Sequence, residues 1–366
     1  MNKNLIALAV AAATFSGAAS AATVYSDDTS SLAIGGRVEA RALLSENAKD
    51  GIVNPQTDVV TYNTQNTDND VTDISRVRIN IDAKTQIADG VQGVGFFERE
   101  FKADNSNDEN RYMYAGVNSD KYGQIVYGKA DGSLGMLTDF TDIMAYAGSV
   151  VGGTKLAVAD RTTNNLSYVG TFNNLTFKAN YVFSGADYSN VLNTDGVTIG
   201  KKKTDVHGFS TAAKYNVADT GLALGLGYAQ QNDQEGQAKR SEQTFAVASY
   251  TMGDLYFGGL YKYGRHDGTG LTSVNLGDAV DTQGYEFAAA YTMGKVVFTT
   301  TYGFMKDQSK GLDYNQMQDA LSVDGTYYFN SNFRTYASYT YNMLDKNKVG
   351  KVAASDQVVL GARYDF

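Results

Sequence analysis

Six side chains in this sequence suit work on a solute that leaves its bonds intact: Arg37, Arg78, Arg111 and Arg161, with Asp139 and Asp142. If a fold sets the arginines on one wall and the aspartates across a narrow water gap, the opposed charges create a transverse field that orients dipoles and biases ions. Covalent chemistry has far less to work with. There is no Cys, so thiolate catalysis and thiolate metal sites are excluded. The only base and nucleophile close in sequence, His207 and Ser210, are three residues apart and so point to opposite faces of a strand.

The elements that position these residues alternate with a period of two. Over residues 75–85, Arg76, Arg78, Asn80, Asp82 and Lys84 share one face, and Val77, Ile79, Ile81 and Ala83 share the other. The period recurs at Leu32, Ile34, Val38 and Ala40 against Arg37, Glu39 and Arg41, and at Leu175, Phe177, Ala179, Tyr181 and Phe183 against Thr176, Lys178 and Asn180. Apolar positions near strand ends are often Tyr or Phe, which suits the two aromatic girdles of a membrane barrel. Arg37, Arg78, Arg111 and Arg161 all have inward parity. Pairing of each arginine with a strand acid such as Glu39 or Asp82 stands beside a role toward solutes.

Seven tight turns punctuate the strands, at Ala88-Asp89-Gly90, Asp120 to Gly123, Asn173-Asn174, Ala218 to Gly221, Met252-Gly253-Asp254, Met293-Gly294-Lys295 and Asn330-Ser331-Asn332. Eight longer polar connections lie between them. A barrel of n strands with both ends on one side needs n/2 long loops and one fewer short turn, which gives an all-β, 16-stranded antiparallel transmembrane β-barrel. Sixteen strands enclose water, whereas eight would be filled by side chains.

One of the long connections, residues 130–160, carries too much apolar surface to stand in solvent. Met136, Leu137, Phe140, Ile143 and Met144 share a helical face, while Asp139, Asp142 and Tyr146 share another. The expected solution is a short helix folded into the lumen as a constriction, apolar side on the wall and acidic side in the water.

Composition agrees with this reading. Lys3, an apolar stretch from Leu5 to Phe15 and Ala19-Ser20-Ala21 form a secretory signal, residues 1–21, leaving 22–366 as a single domain. One Pro, Pro55, suits a chain made mostly of ladder residues. A formal charge of −9 argues against nucleic acid as a partner. The acidic clusters Asp68-Asn69-Asp70 and 104–109 lack the Gly and terminal Glu of a calcium loop. They imply no cofactor beyond loosely bound calcium or magnesium bridging lipopolysaccharide at outer loops.

The chain resembles the Gram-negative general porins, and within them the OmpU-type porins of marine bacteria. The match is carried by Gly35-Gly36-Arg37-Val38-Glu39-Ala40-Arg41, Asn110-Arg111-Tyr112-Met113-Tyr114-Ala115-Gly116, Asp139-Phe140-Thr141-Asp142-Ile143-Met144, Val158-Ala159-Asp160-Arg161 and Val349-Gly350-Lys351-Val352 through Arg363-Tyr364-Asp365-Phe366. The resemblance implies an outer-membrane homotrimer with one solute-conducting pore per barrel, narrowed by the third loop. It aligns Asp142 with an acidic constriction residue and Arg37, Arg78, Arg111 and Arg161 with basic wall positions, Arg78 with a register alternative at Arg76. Enterobacterial relatives read Pro-Glu-Phe-Gly-Gly where this chain has Ala145-Tyr146-Ala147-Gly148-Ser149, so Tyr146 replaces the second loop acid and weakens the case for cation preference. Val358, Leu360, Ala362, Tyr364 and Phe366 resemble the assembly signal read by the barrel-insertion machinery.

Two other functions are weighed beside passive diffusion. An outer-membrane phospholipase is disfavoured by the His207–Ser210 geometry. A sugar-specific channel would use an interior aromatic path, for which Tyr250, Tyr256 and Tyr336 have plausible parity.

Overall fold

The computed structural model describes residues 21–48, 51–53, 60–62, 67–103, 108–192, 198–233, 240–266, 280–309 and 315–366. The expected leader, apart from Ala21, lies outside the described residues, as does most of the acidic cluster at 104–109.

The alternating segments form the wall of a closed antiparallel barrel of sixteen strands. In chain order the strands are β1 (Ala22–Ser26), β2 (Ser30–Ala48), β3 (Gly51–Val53), β4 (Val60–Tyr62), β5 (Thr67–Asp73), β6 (Arg76–Ala88), β7 (Val91–Lys102), β8 (Glu109–Ser119), β9 (Gly123–Ala130) and β10 (Thr162–Phe172). They continue as β11 (Leu175–Leu192), β12 (Thr198–Asn216), β13 (Leu222–Asp233), β14 (Arg240–Met252), β15 (Leu255–His266), β16 (Val280–Met293), β17 (Val296–Ser309), β18 (Asn315–Tyr328), β19 (Phe333–Asn342) and β20 (Gln357–Asp365). Three features separate this list from the wall count. β5 and β6 are one wall strand broken at Ile74-Ser75, β3 and β4 form a small separate hairpin, and β1 folds back on β2.

Closure occurs at β2, which pairs with β6 on one edge and β20 on the other. Gly36 and Phe366 exchange backbone hydrogen bonds of 2.8 and 3.0 Å, and β1 takes over the same edge where Ala22 pairs with Ile34. Among the described residues each wall strand is paired with a neighbour on both sides, which is the condition for backbone in a membrane. All seven expected tight turns are present. Gly253 and Gly294 turn with φ of 60°, a left-handed conformation that suits the twist of a two-residue hairpin.

The burial pattern is inverted relative to a water-soluble domain. On β6, Ile79 and Ile81 are exposed on the outside while Arg78 and Asn80 are buried toward the axis. On the outer face Leu226 is 60% and Phe287 58% exposed, whereas inside Glu39 is 1% and Arg37 4% exposed. Such an outer surface is stable against hydrocarbon and not against water. No described helix is long and apolar enough to cross a membrane; the strands do so.

Candidate functional site: the lumen and its inserted loop

The segment between β9 and β10 lies inside the barrel. Its helix is shorter than the spacing predicts: one turn, α1 (Gly135–Thr138), followed by turns, because carbonyls such as Phe140 O bond the wall instead of continuing a helix. The expected sidedness holds. Leu134, Leu137, Phe140, Val151, Leu156 and Val158 pack on Val182, Val206, Ala212, Phe245, Val247 and Leu260 of the wall. Ile143 packs with Tyr256, Ala288 and Ala290.

Wall glycines make this close docking possible. A side chain at Gly225 or Gly227 would meet Leu134 or Leu137 within 2.7 Å, one at Gly258 would meet the Phe140 carbonyl, and one at Gly303 would meet Val150. These inward glycines alternate with outward Leu224 and Leu226 on β13, so the wall is hollowed only on the face that receives the loop.

Polar side chains of the wall then satisfy the loop backbone. Val151 N donates to Glu286 Oε2 at 2.9 Å and Ala145 N to Asp324 Oδ2 at 2.7 Å. Leu156 N donates to Gln243, Ser133 N to Asn180 and Ser210, and Tyr256 Oη to Phe140 O. Lys262, wholly buried, donates to the carbonyl and hydroxyl of Thr154. Sequence reading missed these anchors, since an inward polar residue looks the same whether it meets water or a loop.

The arginines form a band over β2, β6, β8, β19 and β20 and the residue before β10, mostly paired with acids. Arg76 Nε donates to Glu39 Oε2 at 2.7 Å and Arg76 Nη1 to Glu100 Oε2 at 3.3 Å. Arg78 Nε donates to that same Glu100 oxygen at 2.5 Å, and Arg111 Nε to Glu98 Oε1 at 2.6 Å. Arg37 lies 3.9 Å from Asp365, which also binds Arg334 and Arg363. Local pairing therefore occurs, mostly with β7 acids; Asp82 pairs with Lys84 instead. Arg161 sits just before β10 with its guanidinium 5.7 Å from the Tyr112 ring centre.

Asp139 and Asp142 are exposed to the lumen. The charges acting on Asp139 come from Asp142, Asp131, Lys178 and Lys214, and on Asp142 from Lys155. No arginine is prominent among them, so any field toward the arginine band acts across water. Enclosure by the barrel, then Asp142 and Asp131, push the Asp139 carboxyl above its ordinary range. Water at the exposed carboxyl outweighs wall atoms at a distance, so the rise is less than true burial would cause. Tyr146, at the far end of the loop, reaches β2, where Arg41 Cζ lies 5.6 Å from its ring centre.

The proposed aromatic path is corrected by the wall geometry. Tyr250 is on the outer face, 42% exposed, opposite Phe257. Tyr256 and Tyr336 do point inward, but their hydroxyls are bonded to Phe140 O and to Glu39 at 2.7 and 2.9 Å. Ser210 is buried under the loop on an inward position of β12, and His207 falls at the opposite parity.

A family model described as Gram-negative porin matches residues 7–347. Porin-like protein L of Photobacterium profundum is 54% identical, and outer membrane protein U of Vibrio vulnificus 45% identical, each over the whole of both chains. Among solved structures, the Salmonella typhi OmpF complex with daunomycin has a TM-score of 0.71 at 20% identity, over 94% of this chain and 100% of that one. A trimer form of OmpT from Vibrio cholerae has a TM-score of 0.65 at 18% identity, over 93% and 100%. These two likenesses are of fold.

Proposed function

The chain belongs to the Gram-negative porin family, and from that premise we infer how its lumen sorts what passes. It is an outer-membrane general diffusion porin and not an enzyme: small hydrophilic solutes and ions cross passively. The reading of the constriction is carried by one observation, the loop at 131–160 docked inside the barrel with its apolar side on the wall and Asp139 and Asp142 in the water. In this reading Asp139, Asp142 and Tyr146 form one side of the narrowest section and Arg37, Arg78, Arg111 and Arg161 the other. Diffusing ions then feel an acidic edge opposed to a partly neutralised basic band.

The charge balance gives the test. Asp142→Asn removes an exposed loop charge with little change of volume, so the zero-current potential under a salt gradient should move toward anion preference. An unmoved potential would take Asp142 out of the constriction.

Three copies are proposed to assemble, each with its own pore, by likeness to trimeric porins. Purified protein should then insert into a planar bilayer in steps of three equal conductances, and single steps alone would count against the trimer. Outer-membrane lipid and lipopolysaccharide are the proposed surroundings, with the insertion machinery reading the carboxyl end. That end presents Tyr364 outward with its ring stacked against that of Phe366, the centres 6.5 Å apart.

A further inference from the structure

Most lumen arginines have their charge spoken for. Arg37, Arg76, Arg78, Arg111, Arg334 and Arg363 each lie within 4.0 Å of a carboxylate. Two do not, among the described residues: Arg41 and Arg161, the latter attracted by Glu109, Asp160 and Asp131 only from farther off. Both are half-buried, and both lie against a tyrosine instead, Arg41 5.6 Å from the Tyr146 ring centre and Arg161 5.7 Å from that of Tyr112.

The local bonding leaves donors of both forks unused. Arg41 spends only Nε, on the Ile74 carbonyl at 3.1 Å. Glu39, two residues away, is already bonded by Arg76 and by the Tyr336 hydroxyl. Arg161 Nη1 is shielded from water and has no hydrogen-bond partner, while the Tyr112 hydroxyl is turned away to Asp131 at 3.0 Å. An unpaired guanidinium presents a planar fork that matches a carboxylate. The adjoining ring adds a flat apolar face against which a planar carbon skeleton can lie.

We propose that the Arg41–Tyr146 and Arg161–Tyr112 pairs are two holding points for planar organic carboxylates crossing the lumen. The guanidinium takes the carboxylate and the tyrosine takes the ring or conjugated chain. This rests on the diffusion reading above and adds to it a preferred class of solute. The paired arginines, whose nitrogens already face Glu39, Glu98, Glu100 or Asp365, contribute to the mean field but offer a passing anion less. The Arg41 pair depends on the loop bringing Tyr146 to this point of the wall, its ring centre 5.6 Å from the guanidinium.

The test compares benzoate with cyclohexanecarboxylate, which has similar size and equal charge but a puckered ring. Bi-ionic zero-current potentials against chloride, on purified full-length protein in a planar bilayer, give the permeability ratio of the two acids, which is insensitive to net lumen charge. Wild type should favour benzoate by about threefold, the scale of one cation–π or stacking contact. R41Q, R161Q and Y146L should each move the ratio toward one, and K84Q, which removes an inward charge already paired with Asp82, should leave it unchanged. A wild-type ratio of one, or a ratio unmoved by both R41Q and R161Q, overturns the proposal, as does an equal loss in K84Q. Y146L changes only the inserted loop and so remains informative if a wall variant fails to fold. Absence of potassium chloride conductance in wild type would instead overturn the diffusion reading itself.

Discussion

Removing Glu286 and Asp324 together, as the double alanine variant, should raise the unit conductance and add current noise. Each carboxylate accepts a backbone N–H of the inserted loop, Glu286 from Val151 at 2.9 Å and Asp324 from Ala145 at 2.7 Å. Hydrogen bonds to a charged acceptor are worth about 1.5–3 kcal/mol each. Val151 is fully buried, so lumen water does not replace its lost acceptor without the loop first moving. What would remain on that stretch is mainly apolar: Ile143 on Tyr256, Ala288 and Ala290, Val150 and Val151 against Gly284 and Gly303, and Met144 against Thr301. The barrel wall is closed by backbone pairs that neither substitution touches, so the yield of folded protein should hold while the loop end carrying Tyr146 swings. Single-channel recording in potassium chloride decides the matter. Conductance and noise equal to wild type would mean that apolar docking alone holds the loop.

Leu226→Arg should cost the folded barrel about 2–4 kcal/mol, the penalty for an arginine near the midplane on a lipid face. Leu226 lies on β13 four residues in from the strand's first residue, Leu222, faces outward and is 60% exposed. In a water-soluble domain a substitution at so open a position would be nearly neutral. The variant therefore tests which solvent the outer face meets. Urea unfolding in lipid vesicles, followed by the mobility difference between folded and unfolded barrel in gels, gives the number. A change below about 0.5 kcal/mol would place the outer face in water and remove the basis of the channel reading.

The same lipid and lumen asymmetry explains why so much was legible in sequence. Where one side of a strand meets hydrocarbon and the other meets water, every second residue must be apolar, and β6 writes this out as Val77, Ile79 and Ile81 against Arg76, Arg78 and Asn80. Where both sides are apolar the period fades. β14 packs Phe245 and Val247 under the loop and sets Ala246, Ala248 and Tyr250 toward lipid, so the sequence offers two greasy faces and no parity. The misplacement of Tyr250 is a one-residue error of the kind that turns a whole strand over.

By itself the sequence determined the faces of the strands that have one polar side, the short turns, the number of wall strands and the burial of an apolar loop. Each depends on local spacing or on the solvent a residue must meet, and both are properties of a single segment. Only the tertiary structure decided which charges cancel. Arg78 finds Glu100 and Arg111 finds Glu98 through the registers of β6 with β7 and β7 with β8. Arg41 finds Tyr146 because the loop follows the inner wall past β18 to reach β2. Registers and loop paths follow from the sum of many weak contacts over the whole ring, so no single stretch of sequence records them.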